Sequence, residues 1–194
     1  MIPKKFTTQL AALYSDMEAA YDEAAQALGL SCRDCPDNCC DSFFYHHTYI
    51  EWAYLWEGLK ALPAAKQEEI LGRVATYEEE SEKILAKGGR PQLMCPLNED
   101  GLCVLYPRRL MICRLHGVPS TLTRPDGQSL RFPGCFRCQE IVGKKDVSAL
   151  NRTPLLQRLA RLEMEWLGPR RRTLPKVKMT IARMLAEGPP KISG

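Results

Sequence analysis

The sequence predicts a mainly α protein, a helical frame of about five helices around cysteine-rich loops with at most short strands. Two observations carry that expectation. Apolar residues recur at spacings of three and four in separate stretches, the period of a helix that buries one face. All nine cysteines lie between Cys32 and Cys138, mostly in stretches punctuated by proline, glycine and other turn formers. With 194 residues, 45% of them hydrophobic and 26% charged, the chain is long enough to bury a core, and its composition excludes wholesale disorder.

The first helix spans residues 6–28, where Phe6, Leu10, Leu13, Met17, Tyr21, Ala24 and Leu28 form one stripe and Gly29 is placed to end it. After the loop SCRDCPDNCC, the aromatic run Phe43 to Tyr45 fits a short strand. Thr48-Tyr49-Ile50-Glu51 fits a capping box, and the helix it starts runs to about Ala61. Pro63 suits the first turn of a third helix, with Ile70, Val74, Tyr77 and Ile84 on its buried face and Gly88-Gly89 beyond its end. Residues 90–138 read as irregular, with a short strand around Leu102–Tyr106 and a helical turn near Arg109–Leu115. Leu155, Leu159, Leu162 and Trp166 stripe a fourth helix; Val177, Ile181, Met184 and Leu185 stripe a fifth. Residues 1–138 are expected to form a cysteine-cluster domain, and 139–194 a basic helical extension packed on it.

No window approaches the roughly 18 uninterrupted apolar residues of a membrane span, and polar residues interrupt the N-terminal stretch where a secretory signal needs an apolar block. A cytoplasmic location follows, where thiols stay reduced. An odd count of nine also suits a complete disulfide framework poorly. The cysteines therefore read as metal ligands.

Their spacing is Cys32-x2-Cys35-x3-Cys39-Cys40, then 54 residues, then Cys95-x7-Cys103-x9-Cys113-x21-Cys135-x2-Cys138. A two-residue gap lets one turn present both sulfurs to a single centre. Neighbouring side chains diverge, so Cys39 and Cys40 either feed two centres or divide between a ligand and a packing residue. The run CRDCPDNCC, followed by MCPLNEDGLCVLYPRRLMICRL, resembles the YkgJ-like CxxCxxCC cysteine-cluster family, described as zinc- or iron-chelating. The matching positions are Cys32, Cys35, Cys39 and Cys40, then Cys95, Gly101, Cys103, Tyr106, Arg109, Cys113 and Arg114, with Cys135 or Cys138 as the last cysteine. The chain departs from the family pattern by one extra residue before Cys39, by Leu110 in place of a proline, and by a ninth cysteine. The resemblance implies metal binding and supplies no reaction.

Structural zinc sites usually pair two short Cys-x-x-Cys knuckles, and only Cys32/Cys35 and Cys135/Cys138 have that form. An iron–sulfur cluster tolerates wider spacing, and the Cys35-Pro36 and Cys95-Pro96 steps suit cluster loops. A [4Fe–4S] cluster is the favoured cofactor, with zinc as the alternative. Thiolates leave such a centre negative, so Arg109 and Arg114, which flank Cys113, are candidate compensating donors. Tyr106 is expected to pack in the core or to hydrogen-bond a thiolate. His116 stands at a ligand spacing from Cys113 and is a further candidate ligand. His46 and His47, on a short strand, would face opposite sides, so one at most looks inward.

No nucleophile–base pair, phosphate loop or HExxH motif is visible, and no catalytic residue is assigned. Residues 139–194 carry twelve Lys and Arg against five Asp and Glu, with Arg170-Arg171-Arg172 at the centre. That basic segment is open to an acidic protein or a nucleic acid, and no membrane partner is expected. Three functions remain in play: a metal-binding protein, a redox or transferase enzyme using the cluster, and a nucleic-acid adaptor with a structural metal.

Overall fold

The first stripe folds into α1 (Lys4–Leu28), which buries Leu10, Leu13, Tyr14 and Met17. At its end the Gly29 N–H donates to Gln26 O at 3.1 Å and the Leu30 N–H to Ala25 O at 2.9 Å, which satisfies two of the last carbonyls. The computed structural model describes residues 2–32, 35 and 39–192. Among these, α2 (Tyr49–Lys60) and α3 (Ala64–Ala86) precede strands β1 (Asn98–Glu99) and β2 (Leu102–Cys103). Then come α4 (Met111–Leu115), β3 (Ser120–Thr123), β4 (Ser129–Phe132), α5 (Phe136–Val142) and β5 (Leu150–Asn151). Helices α6 (Thr153–Leu167) and α7 (Ile181–Ala186) complete the order. Among the described residues 56% are helical and 9% are in strands, so the protein is mainly helical, with two small sheets there. No helix among the described residues is long and apolar enough to cross a membrane.

The chain divides into two compact units, each assembled from separate stretches. The first comprises Met1–Lys4, Cys40–Leu110 and Glu163–Gly194; the second comprises Lys5–Cys39 and Met111–Leu162. The boundary expected after residue 138 falls inside the second unit.

In the first unit α2 is the core helix. Its apolar sequence leaves Ile50, Trp52, Leu55 and Leu59 all buried. The indole N–H groups of Trp52 and Trp56 both donate to Met184 O at 2.8 Å, binding α2 to the end of α7. Helix α2 starts at the expected place but by a different device. Thr48 Oγ1 donates to Glu51 Oε2 at 2.8 Å and caps no amide. The Tyr49 and Ile50 N–H groups instead donate to the two carboxylate oxygens of Glu163, each at 2.8 Å. A carboxylate suits that helix end electrostatically as well as geometrically. Phe43 to Tyr45 form no strand; the extended pairing there is a single bridge, His46 N–H to Met179 O at 2.7 Å and Met179 N–H to His46 O at 3.1 Å. That bridge keeps Val177–Met179 extended, so α7 begins later than its stripe suggests, capped by Thr180 Oγ1 on the Arg183 N–H at 3.0 Å.

The second unit holds a three-stranded sheet, ordered β4-β3-β5, two strands of which fall in the stretch expected to be irregular. β3 and β4 are antiparallel, registered from Ser120 opposite Phe132 to Thr123 opposite Ser129. β5 adds in parallel on the other side of β3. The Arg152 guanidinium donates to Leu115 O at 2.7 Å and lies 4.7 Å from the Phe132 ring centre, joining the sheet to α4. Ala25, Leu30, Val118 and Cys138 form a buried apolar cluster, with Tyr21, Ile141 and Leu150 packed against it.

Removing the unusual cap should cost stability. Glu163→Ala is expected to lower unfolding free energy by about 1–2 kcal/mol in urea titrations, the usual cost of a lost N-cap. A change below a few tenths would show that water replaces the carboxylate.

Candidate metal centre

Cysteine-bearing segments remote in sequence come together in each unit. In the first unit, Asp100 and Gly101 have φ of 49° and 86° and join β1 to β2. Two successive left-handed residues are what a tight two-residue hairpin needs, and Asp-Gly supplies them cheaply. The register sets Asn98 opposite Cys103, and the Asn98 N–H donates to Cys95 O at 2.9 Å. The turn thus folds Cys103 back toward Cys95. Cys40 joins them from across the 54-residue gap, because the Cys95 N–H donates to Cys40 O at 3.0 Å. Glu99 pairs with Lys66 at 2.6 Å and with Arg73 at 2.5 Å, which anchors the hairpin on α3. Desolvation pushes the Cys95 thiol up to about 12. The Leu97 backbone opposes that shift, Cys103 and Cys40 add to it, and Arg73 opposes it again.

In the second unit the thiols gather around Tyr21. Its hydroxyl lies 3.6 Å from Cys32 Sγ. Burial pushes the phenol well above its ordinary range, the hydrogen bond with Cys32 adds to this, and the charges of Cys32, Cys135 and Cys39 push the same way. Gly117 makes the arrangement sterically possible, because a Cβ there would run into the Tyr21 hydroxyl and ring. The Cys135 N–H donates to Gly117 O at 3.1 Å. Gly134, at φ 89°, lets that loop approach closely, since its Cβ would meet Gly117 O at 2.7 Å. Helical spacing marked Tyr21 only as a member of an apolar stripe. Its role depends on Gly117, Cys32 and Cys135, and nothing local announces it.

The remaining candidates are placed differently. Cys138 is fully buried in the apolar cluster, and burial pushes its thiol up, with Cys135 adding to the shift. Cys113 on α4 and the nearby His116 are half-buried. Cys35 is half-buried, and its N–H points to Cys32 O at 3.4 Å. The Arg109 guanidinium lies 3.6 Å from the Tyr106 ring centre, and Arg114 is buried 4.2 Å from the Tyr14 ring centre. Both arginines therefore lie over tyrosine faces. Tyr106 is 45% exposed, so the expectation of core packing is corrected: its ring is covered by Arg109 at the surface. Residues 33, 34 and 36–38, including Pro36 of the first Cys-Pro step, lie outside the described residues.

No disulfide joins any of the nine cysteines. Cys39 and Cys40, adjacent in sequence, belong to different units. Among the described residues, no group of three or more His, Cys, Asp or Glu side chains is gathered tightly enough to hold a metal ion. The donors are of a kind that suits a thiophilic metal, soft sulfurs, with Arg73 easing the charge of a Cys95 thiolate. The sulfurs would have to draw closer for a coordination shell.

His46 and His47 do face opposite sides: His46 is 2% exposed and His47 lies at the surface. His46 Nδ1 is buried with no hydrogen-bond partner among the described residues. Burial lowers its pKa to about 3, with the neighbouring His47 adding to the shift. No family model, no curated protein and no solved structure matches this chain.

Two outcomes are expected. Gly117→Ala should destabilise the protein by about 1–3 kcal/mol in chemical unfolding and raise the reactivity of Cys32 toward a thiol reagent, because the Tyr21 ring must move. Unchanged reactivity would detach Tyr21 from the thiol group. The second concerns pH. His46 takes a proton near 6.5 when unfolded but resists it until about 3 when folded, so its contribution is full above 6.5 and lost as pH falls. The slope is up to about 1.4 kcal/mol per pH unit. His46→Leu should therefore gain stability relative to the parent between pH 6.5 and about 4, and parallel stability curves would refute the assignment.

Proposed function

We propose that this is a metal-binding protein whose clustered cysteines hold an iron–sulfur cluster of the [4Fe–4S] type, with zinc as the alternative, in a reducing, cytoplasmic setting. The observation that carries this reading is the hydrogen bond from Cys95 to Cys40, with Cys103 folded onto the same place by the hairpin. That backbone contact brings the two cysteine-bearing stretches of the unit together, as a shared centre requires. The gathering of Cys32, Cys39 and Cys135 about Tyr21 supports it independently. The motif likeness to the CxxCxxCC family points the same way.

On this reading Cys40, Cys95 and Cys103 form the core of one donor set, and Cys32, Cys39 and Cys135 the core of another. Cys35, Cys113, Cys138 and His116 are the further candidate donors. A bound cluster would supply one-electron chemistry, and bound zinc a structural staple. Arg73 would offset thiolate charge near Cys95, and the Tyr21 hydroxyl would donate to the Cys32 sulfur. Because sulfurs remote in sequence must close on the metal, binding and final folding are coupled.

Protein purified without oxygen should carry iron with acid-labile sulfide, or zinc, by elemental and sulfide analysis. Cys95→Ser and Cys135→Ser should each weaken retention against a chelator roughly tenfold or more. A well-folded parent with nine titratable thiols and no metal would end the proposal.

A further inference from the structure

A cavity of about 370 Å³ opens in the first unit beside the start of α2, and its polar lining is His47, Glu163, Arg171, Arg172 and Lys176. The carboxylate there is already answered, because both Glu163 oxygens accept amide N–H groups from α2 at 2.8 Å. The cations are not. Of the three consecutive arginines, Arg170 turns back to the end of α6, its guanidinium donating to Leu167 O at 3.1 Å and Trp166 O at 3.0 Å. Arg171, Arg172 and Lys176 are exposed, and among the described residues their charged groups have no hydrogen-bond or ion-pair partner. His47 Nδ1 donates to Val177 O at 3.1 Å, which leaves Nε2 as the ring's other polar atom.

Three cations around one recess repel each other, and a bound anion relieves that repulsion. Guanidinium pairs match phosphate oxygens in geometry as well as charge. The rest of the wall is apolar, with Leu167, Leu174 and Val177 among its residues. We propose that this cavity binds a small phosphate monoester, its phosphate held by Arg171, Arg172 and Lys176 and its apolar body lying against Leu167, Leu174 and Val177.

A nucleic-acid strand would use the same phosphate chemistry, but the cavity suits it less. Strand binders stack bases on open aromatic faces. The aromatic ring lining the cavity, Tyr49, is stacked on Trp52 with centroids 5.8 Å apart, and its hydroxyl donates to Pro175 O at 2.8 Å. The volume is in the range of small-ligand pockets. This inference is independent of the metal reading.

Isothermal titration calorimetry at low salt tests it, with phenyl phosphate, phenol and a short single-stranded oligothymidylate as probes. Phenyl phosphate should bind and phenol should not. R171A/R172A/K176A should bind phenyl phosphate about tenfold or more weakly with an unchanged melting temperature, while K144A/K145A in the second unit should bind as the parent does. If the triple variant melts early, Lys176→Glu alone should show the loss. No heat with phenyl phosphate, or affinity equal to the parent's in the variant that lacks the cavity cations, overturns the proposal. Binding of oligothymidylate without binding of phenyl phosphate also overturns it, in favour of a strand.

Discussion

A single backbone contact, the hydrogen bond from the Cys95 N–H to Cys40 O at 3.0 Å, joins the two cysteine-bearing stretches of the first unit. It fixes the exit of the first cysteine loop against the entrance of the second. The Asp100-Gly101 turn then decides that Cys103 returns to the same place. Glu99, through Lys66 and Arg73, ties that turn to the long helix α3. The hairpin is thus positioned by backbone hydrogen bonding and a short ion-pair network, with Leu97 and Leu105 buried beside it.

The second unit reaches a comparable result by steric means. Gly117 has no side chain where the Tyr21 hydroxyl sits, and Gly134 lets the Cys135 loop lie on the Gly117 carbonyl. The two units therefore gather cysteines independently, and the split between Cys39 and Cys40 sends neighbouring thiols to different groups. Diverging side chains on adjacent residues make such a division natural. Burial raises the cost of a bare thiolate at Cys95 and at Cys138, and neighbouring cysteines add to it.

The helices were legible in the sequence because their apolar stripes are local, and α1, α2, α3 and α6 lie close to where the spacing places them. Helix α7 was read too long because the pairing of Met179 with His46, remote in sequence, holds its first residues extended. The Thr48–Glu51 capping box looked sufficient by itself, yet Glu163 supplies the acceptors. The β3–β4 hairpin carries a local signal as well, the turn Pro125-Asp126-Gly127 flanked by Ser120–Thr123 and Ser129–Phe132. Of the site, the cysteines were visible as residues but not as groups, since grouping depends on contacts such as Cys95 with Cys40. Arg109 and Arg114 were placed by their nearness to Cys113 in sequence, whereas each lies over a tyrosine ring that spacing does not reveal.

The central claim is that cysteine-bearing segments far apart in the chain are brought together within each unit. Cross-linking the reduced, metal-free protein with dibromobimane, which joins only neighbouring thiols, and mapping the products by mass spectrometry addresses it most directly. Links among Cys40, Cys95 and Cys103, and among Cys32, Cys39 and Cys135, are the predicted products. Links confined to close sequence neighbours, such as Cys32 with Cys35 or Cys135 with Cys138, would contradict the account.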